Sequence, residues 1–446
     1  MTIQGAMPPE IATLLAALQN GGTGAMRVAD WRVNWTWRQE VSAAIRDSEP
    51  LNVHAPLAVE ESTAAGVLVQ WADGRLSRRR VERAEAAQPE RFLEAALASA
   101  YEDSDGAVFV GPTTAPEVPL FVPETAAVAA GHLDPLAEVL SAARSVASSH
   151  GFRNLSGSVS AVHARSGVRT SRGCDLADEV TRFTWWFSFE GLASESDQRR
   201  EPIPGSAVRE RLAEPADRVG RLLHDEANVL PGPVPVLLHP NAAESFLFTY
   251  LLGNLEGDLV WNRRSAFRRE QFDGGASVAR EDLSVRLDPL VPFGAGSYHF
   301  TREGVVARKV DLIASGRLTT PILDLKYARR FGREPVPGPL GAESLVFASR
   351  PFPSSEEAIG GLDRGLVVFS VLGLHTQDPT SGDFSVAAPQ SLAIRAGRLG
   401  GRVRAALTGN FLQALHSPDM RLVRFPGQPM PGILLPAGLS VDAVSR

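Results

Sequence analysis

Apolar residues recur along this chain in two periods, and the changes from one period to the other mark out its elements. After Pro8-Pro9-Glu10, Ile11, Leu14, Leu15 and Leu18 fall at helical spacing and stop at Asn20-Gly21-Gly22, so a helix is predicted there. Residues 27–37 then turn to a period of two, with Trp31, Val33, Trp35 and Trp37 on one face of a strand. Segments 66–71 and 76–81 flank Asp73-Gly74, a strong hairpin signal. Helices are predicted over about 88–101 and 134–150, and an antiparallel pair of strands around 159–164 and 181–189. A further helix over roughly 206–229 leads to Pro231-Gly232-Pro233, which divides an N-terminal part (1–230) from a C-terminal part (231–446).

Beyond that boundary, strand patterns prevail. A short apolar strand at 234–238 runs into a helix opened by Pro240 and continuing to about Leu252. Residues 304–323 read as a hairpin turning at Ser315-Gly316, and strands follow at 366–372, 384–388, 392–394 and 405–408. Gly, Pro and Asp turns separate them with little helix between, which favours antiparallel sheet over a βαβ array. The expected class is α+β, with a mixed N-terminal domain and a C-terminal domain dominated by antiparallel sheet. Segments 112–123 and 335–339 are Pro-rich and read as loops.

Composition narrows the function classes. With 44% hydrophobic and 22% charged residues, the 446-residue chain can bury a sizeable core. A net charge of −6 argues against a nucleic-acid-binding domain. The nearest basic cluster, Arg75, Arg78, Arg79 and Arg80, reads as a solvated hairpin edge or a partner patch. Lys309 and Lys326 are the only lysines, an imbalance that reads as coding bias and carries no function. A single cysteine, Cys174, excludes an intramolecular disulfide and a cysteine cluster for metal. No run approaches the ~18 apolar residues of a membrane span, and residues 1–10 lack a signal-peptide pattern, so a cytoplasmic location is expected.

No HExxH, P-loop or GxSxG motif is present. The most informative stretch is Leu237-Leu238-His239-Pro240-Asn241-Ala242-Ala243-Glu244, a strand passing into an amphipathic helix. Further on stand Leu312-Ile313-Ala314-Ser315-Gly316-Arg317-Leu318, then Leu323-Asp324 and Tyr327-Ala328-Arg329-Arg330-Phe331-Gly332. These are followed by Gly373-Leu374-His375-Thr376 with Ser381-Gly382-Asp383-Phe384-Ser385, and by Gly409-Asn410-Phe411. In order and spacing the set resembles the C-terminal half of the TldD/TldE (PmbA) family, on its TldE side. The resemblance implies a fold built around a strand and helix that, in TldD-type zinc peptidases, carry HExxxH, with a cysteine near the C-terminus completing the metal site. Laid on this chain, the first ligand position is His239, the general-base position Pro240 and the second ligand position Glu244, and residues 431–444 contain no cysteine. Proline cannot take a proton from a metal-bound water.

The resemblance therefore implies a subunit with no catalytic residues and no cofactor of its own. Its partner would be a TldD-type metallopeptidase subunit that holds zinc and forms a heterodimer with it. The pair would enclose a cleft for unfolded or modified peptides, to which this chain could offer a sheet edge. His375, Thr376, Asp383 and Asn410 are the candidate cleft residues. His375 could equally tie its loop, and Asn410 could hold a left-handed backbone position. Two alternatives stay open: a stand-alone enzyme in which His239, Glu244 and His375 bind a metal, or a peptide-binding homodimer.

Overall fold

A computed structural model describes residues 7–21, 27–50, 58–225, 233–437 and 440–443. The first half contributes strands β1 (Val28–Arg46), β2 (Glu49–Pro50), β3 (Glu60–Trp71), β4 (Leu76–Glu82), β5 (Leu155–Thr170), β6 (Asp175–Phe189) and β7 (Ala193–Arg199). They form one antiparallel sheet in the order β4-β3-β1-β5-β6-β7, with β2 paired to the end of β1. Helices α1 (Pro9–Gln19), α2 (Arg83–Ala86), α3 (Pro89–Ala98), α4 (Pro123–Ala129), α5 (Asp134–Ser149) and α6 (Gly205–His224) complete this half.

Alternation explains how the sheet is covered. Successive side chains point to opposite faces, so Trp31, Val33 and Trp35 of β1 turn to one side and pack with Ile11, Leu14 and Phe92. Farther along, Val41, Ala43 and Ile45 join Phe183, Trp185 and Phe187 of β6 under Val139, Leu212 and Val219 of α5 and α6. The even-numbered residues face the other way, where Arg38 and Trp186 are exposed. That open face looks toward the second half of the chain.

The second half begins with β8 (Val236–Leu238), α7 (Pro240–Phe246), α8 (Gly257–Trp261) and α9 (Arg269–Asp273). It continues through β9 (Ser284–Leu287), β10 (Val310–Ala314), β11 (Arg317–Leu318), α10 (Leu325–Phe331), β12 (Leu345–Ala348) and α11 (Ser355–Gly360). Next come β13 (Arg364–Leu372), β14 (Asp383–Arg395), β15 (Arg398–Asn410) and α12 (Phe411–His416). The last elements are β16 (Arg421–Val423), β17 (Gly432–Leu435) and β18 (Ser440–Ala443). Two sheets result, ordered β11-β10-β9-β12 and β16-β17-β8-β13-β14-β15-β18, and one core spans both.

The class is α+β, as the patterns indicate. Several elements differ from the expectations. The β8–β13 pair is parallel, set inside an otherwise antiparallel sheet. Segments 384–388 and 392–394 belong to one strand, β14, whose register against β15 shifts between Ala388 and Ser391. The hairpin expected over 304–323 shrinks to β10 and β11. The helix after Pro240 is regular only to Phe246, then widens into a π turn over Leu247–Leu252. Asn254 sits just beyond that turn, with Nδ2 donating to the carbonyls of Tyr250 (2.8 Å) and Pro379 (2.9 Å). Of the expected boundary, Pro231-Gly232 and the last turn of the helix before it lie outside the described residues.

Ion pairs and hydrogen bonds join the halves. Arg32 Nη2 lies 3.0 Å from Glu303 Oε1, Lys326 Nζ 2.7 Å from Asp103 Oδ2, and Arg330 Nε 2.8 Å from Asp105 Oδ2. Buried Arg200 donates to the carbonyls of Gly294, Ala295 and Ser297. Cys174 is buried with Val168 and Leu176 against Phe300 and Val306 of the second half, and burial pushes its thiol pKa up, the signature of an inert cysteine.

Candidate functional site

Strand β8 delivers His239 to the start of α7, where proline at the first helical position costs no hydrogen bond. The imidazole is buried between Phe369 and Phe425, with ring centroids 5.2 and 4.9 Å away. Its Nδ1 faces the Asn241 N–H at 3.4 Å, and its Nε2 lies 3.4 Å from Nη1 of Arg218 on α6. The guanidinium of Arg218 in turn covers the Phe369 ring at 4.4 Å. Burial, reinforced by Arg218 and Arg211, holds the imidazole pKa well below its ordinary value, so His239 is neutral.

Beside it, Glu195 of β7 accepts hydrogen bonds from Arg211 Nε and Gln428 Nε2, both at 2.8 Å. Gln428 comes from the second half, so this carboxylate fastens the two halves at the cleft wall. Burial raises the Glu195 pKa despite both neighbouring arginines.

In front of these groups lies a cleft of about 720 Å³ between the halves. One wall is Thr184, Ser196–Arg199 and Arg211; the other is Pro240, Asn241 and Glu244, with Phe293 and Glu343 at the rim. Strand β7 is therefore both the edge of the large sheet and a cleft wall. Glu244 has its carboxyl pushed up by burial and by Glu343.

These residues do not fit a zinc ion. A guanidinium occupies the space before His239 Nε2, and a second fixed cation opposes a dication there. Among the described residues, no group of three or more His, Cys, Asp and Glu could hold a metal. Glu244 lines the cleft while His239 lies behind its wall, and His375 is exposed on a one-turn 3-10 helix after β13. The structure thus does not assemble the three-residue set considered from sequence.

The four candidate cleft residues lie elsewhere. None lines this cleft between the halves of the chain; they gather at the end of the β13–β14–β15 sheet. Asp383 and Asn410 are register partners, joined by a 2.8 Å bond from Asn410 Nδ2 to Asp383 Oδ1. Asn410 is extended (φ −123°), not left-handed; its Oδ1 caps α12 by accepting from the Gln413 N–H. Thr376 Oγ1 donates to the Gly373 carbonyl, and Asp378 accepts from Thr380, so these residues, rather than His375, tie the loop. The reading from sequence missed Glu195, Arg211 and Arg218. Their only signal is the alternation of Ala193 and Glu195, plus two arginines one helical face apart.

A second cleft of about 670 Å³ continues along the open sheet face. Glu256 lines it, with its carboxyl pushed up to about 7 by burial, then by Asp258 and Asp324. A folded pKa raised this far contributes stability below the unfolded value of ~4.3. That contribution is lost as pH rises through about 7. Glu256→Gln is accordingly expected to gain on the wild type by about 2–3 kcal/mol between pH 5 and pH 8, at ~1.4 kcal/mol per pKa unit. Urea unfolding of both proteins at the two pH values checks this; a pH-independent difference would refute it.

Residues 231–436 match the PmbA/TldA metallopeptidase C-terminal domain. The chain is 24% identical over 288 residues to an uncharacterised protein of Methanocaldococcus jannaschii, covering 62% of this chain and 67% of that protein. It is 26% identical over 238 residues to metalloprotease PmbA of Escherichia coli O157:H7, a match spanning 53% of this chain and under half (48%) of that protein. Its fold is similar to that of TldE from Thermococcus kodakarensis, with a TM-score of 0.77 at 18% identity over 97% of this chain and 100% of the other. Residues 231–436 thus carry the PmbA/TldA metallopeptidase C-terminal domain, and the chain as a whole has the fold seen in TldE.

Proposed function

We propose that this chain is a non-catalytic, TldE-like subunit that pairs with a TldD-type zinc metallopeptidase and helps to form the cleft in which unfolded or modified peptides are cut. The observation that carries this reading is the start of α7. There Pro240 occupies the general-base position, and the His239 imidazole is closed off by Arg218 and the Asn241 N–H. A hydrolytic water would find no proton acceptor on the residue where the family keeps one. Zinc, and the activated water it supplies, would belong to the partner subunit, and the heterodimer would work in the cytoplasm.

The position of β7 suggests what this chain adds. Among the described residues it pairs on one side only, with β6, and its residues 196–199 line the cleft. An extended peptide can add to such an edge through backbone hydrogen bonds, with little demand on its sequence. The chain alone is expected to hydrolyse no peptide, whereas co-expression with a TldD-type subunit yields a co-purifying complex that does. Turnover by the isolated chain would contradict the reading, most directly if His239→Ala or metal removal abolishes it, as would failure to co-purify with any TldD-type subunit.

A further inference from the structure

The arginines of β4 do not sit on a plain solvated edge. Arg78 and Arg80 are register partners of Leu68 and Gly66 on β3, which in turn face Arg32 and Asn34 of β1. All of these point to the open face of the sheet. Together with Arg38 and, from the second half, Arg302, they border a groove of about 610 Å³. Its floor is low because β3 places Ala64 and Gly66 there.

The charges in this groove are unevenly matched. Arg32 is paired with Glu303, Arg38 with Glu40 and Arg80 with Glu82. Arg78 and Arg302 are exposed, and neither lies within ion-pairing distance of a carboxylate among the described residues. Arg182, farther along the same face on β6, is likewise without such a carboxylate. The groove shares Asn34, Thr36, Arg302 and Glu303 with the second cleft, which reaches Arg182. Two residues on along that strand face, Thr184 lines the first cleft. A continuous path therefore runs over the sheet from the β4 arginines to the cleft wall.

We propose that this path binds a carboxylate-rich, extended segment of the peptide that occupies the cleft. The inference rests on the peptide-cleft reading above and names a substrate class for it. Arg78, Arg302 and Arg182, the guanidiniums left without a carboxylate among the described residues, follow one another along this path. An extended peptide with Asp or Glu at alternate residues presents its carboxylates to them on one face, ~7 Å apart. A guanidinium fork suits a carboxylate, with charge and geometry both matched.

The test uses the full chain and fluorescence anisotropy with a labelled peptide of alternating Glu and Ala, against its Gln-Ala counterpart. The acidic peptide is expected to bind about tenfold more tightly, the sum of two exposed ion pairs at the upper end of what such pairs supply. The preference should shrink in high salt, as the screening length contracts. Arg78→Gln with Arg302→Gln is expected to abolish the preference while leaving the melting temperature and the neutral peptide's affinity unchanged. Equal affinity for the two peptides in the wild type overturns the proposal, as does a preference that persists in the double variant. Tighter binding of a single-stranded oligothymidine than of the Glu peptide overturns it too. Because binding is read on the isolated chain, loss of the acidic preference leaves the partner role standing, and failure to assemble with a catalytic subunit leaves the preference measurable.

Discussion

Replacing Glu195 with alanine is expected to lower the stability of the protein by about 3–5 kcal/mol, the usual cost of leaving a buried charge without its partner. Glu195 is 5% exposed and holds both Arg211 and Gln428. The pair is no large source of stability in itself, since burial has raised the carboxyl pKa in spite of the arginines. What the deletion exposes is the other side of the contact. Arg211 keeps its charge with only 17% of its side chain exposed, and Gln428 loses its acceptor. Removing both charges together, as Glu195→Met with Arg211→Met, should recover most of the loss, because a well-packed apolar pair often replaces a buried ion pair at little cost. Urea denaturation of the three proteins decides the matter. An alanine variant within about 1 kcal/mol of the wild type would refute the account, because a buried arginine cannot be orphaned that cheaply.

Phe246→Ala is expected to cost a similar ~3–5 kcal/mol, and to reach the cleft as well. The ring is fully buried, packed edge-on against Phe384 at 5.0 Å and beside Phe411 and Tyr250 at 5.3 and 6.0 Å. These contacts clamp the end of α7 to β14 and α12, while its first turn carries Pro240 and Glu244 into the cleft wall. Removing the ring opens a cavity at the point that fixes the helix axis. Phe246→Leu, which keeps much of the volume, should cost a fraction of the alanine change. Chemical denaturation gives the first effect, and peptide affinity of the folded variant gives the second. Unchanged stability would show that the aromatic cluster is not what holds the helix.

Much of this architecture is legible in the sequence where local physics decides it. The Asp73-Gly74 turn joins β3 and β4 as expected, and helices open at Pro9, Pro89 and Pro240, where the ring takes the place of an unused donor. Strand β1 was legible only in its tryptophan half, because beyond Trp37 the sequence Arg38-Gln39-Glu40 puts polar residues on both faces. The parallel pairing of β8 could not be read, since three consecutive buried residues have no period. The Pro-rich loop expected over 112–123 ends in Pro123, which instead opens α4 (Pro123–Ala129), a helix not expected from the sequence that forms because Val128 and Ala129 find a buried face. The degenerate motif positions on α7 were legible because their chemistry is local. The Glu195–Arg211–Arg218 group behind them was not, since it joins β7 to α6 and takes its last bond from Gln428, residues that only the fold brings together.

The fasteners between the two halves have a consequence for what can reach the cleft. Lys326–Asp103, Arg330–Asp105 and Arg32–Glu303 meet at α10, where Glu303 also accepts from the Leu325 N–H, while the Arg200 bonds to Gly294, Ala295 and Ser297 and the Glu195–Gln428 bond tie the seam at other places. A seam tied at several points cannot swing open about any one of them without breaking the others. On the proposed function, the slot between the halves would work as a gauge of fixed bore, selecting by thickness before it selects by sequence. A single extended chain would pass and a folded domain would not, so anything admitted would already have come undone elsewhere.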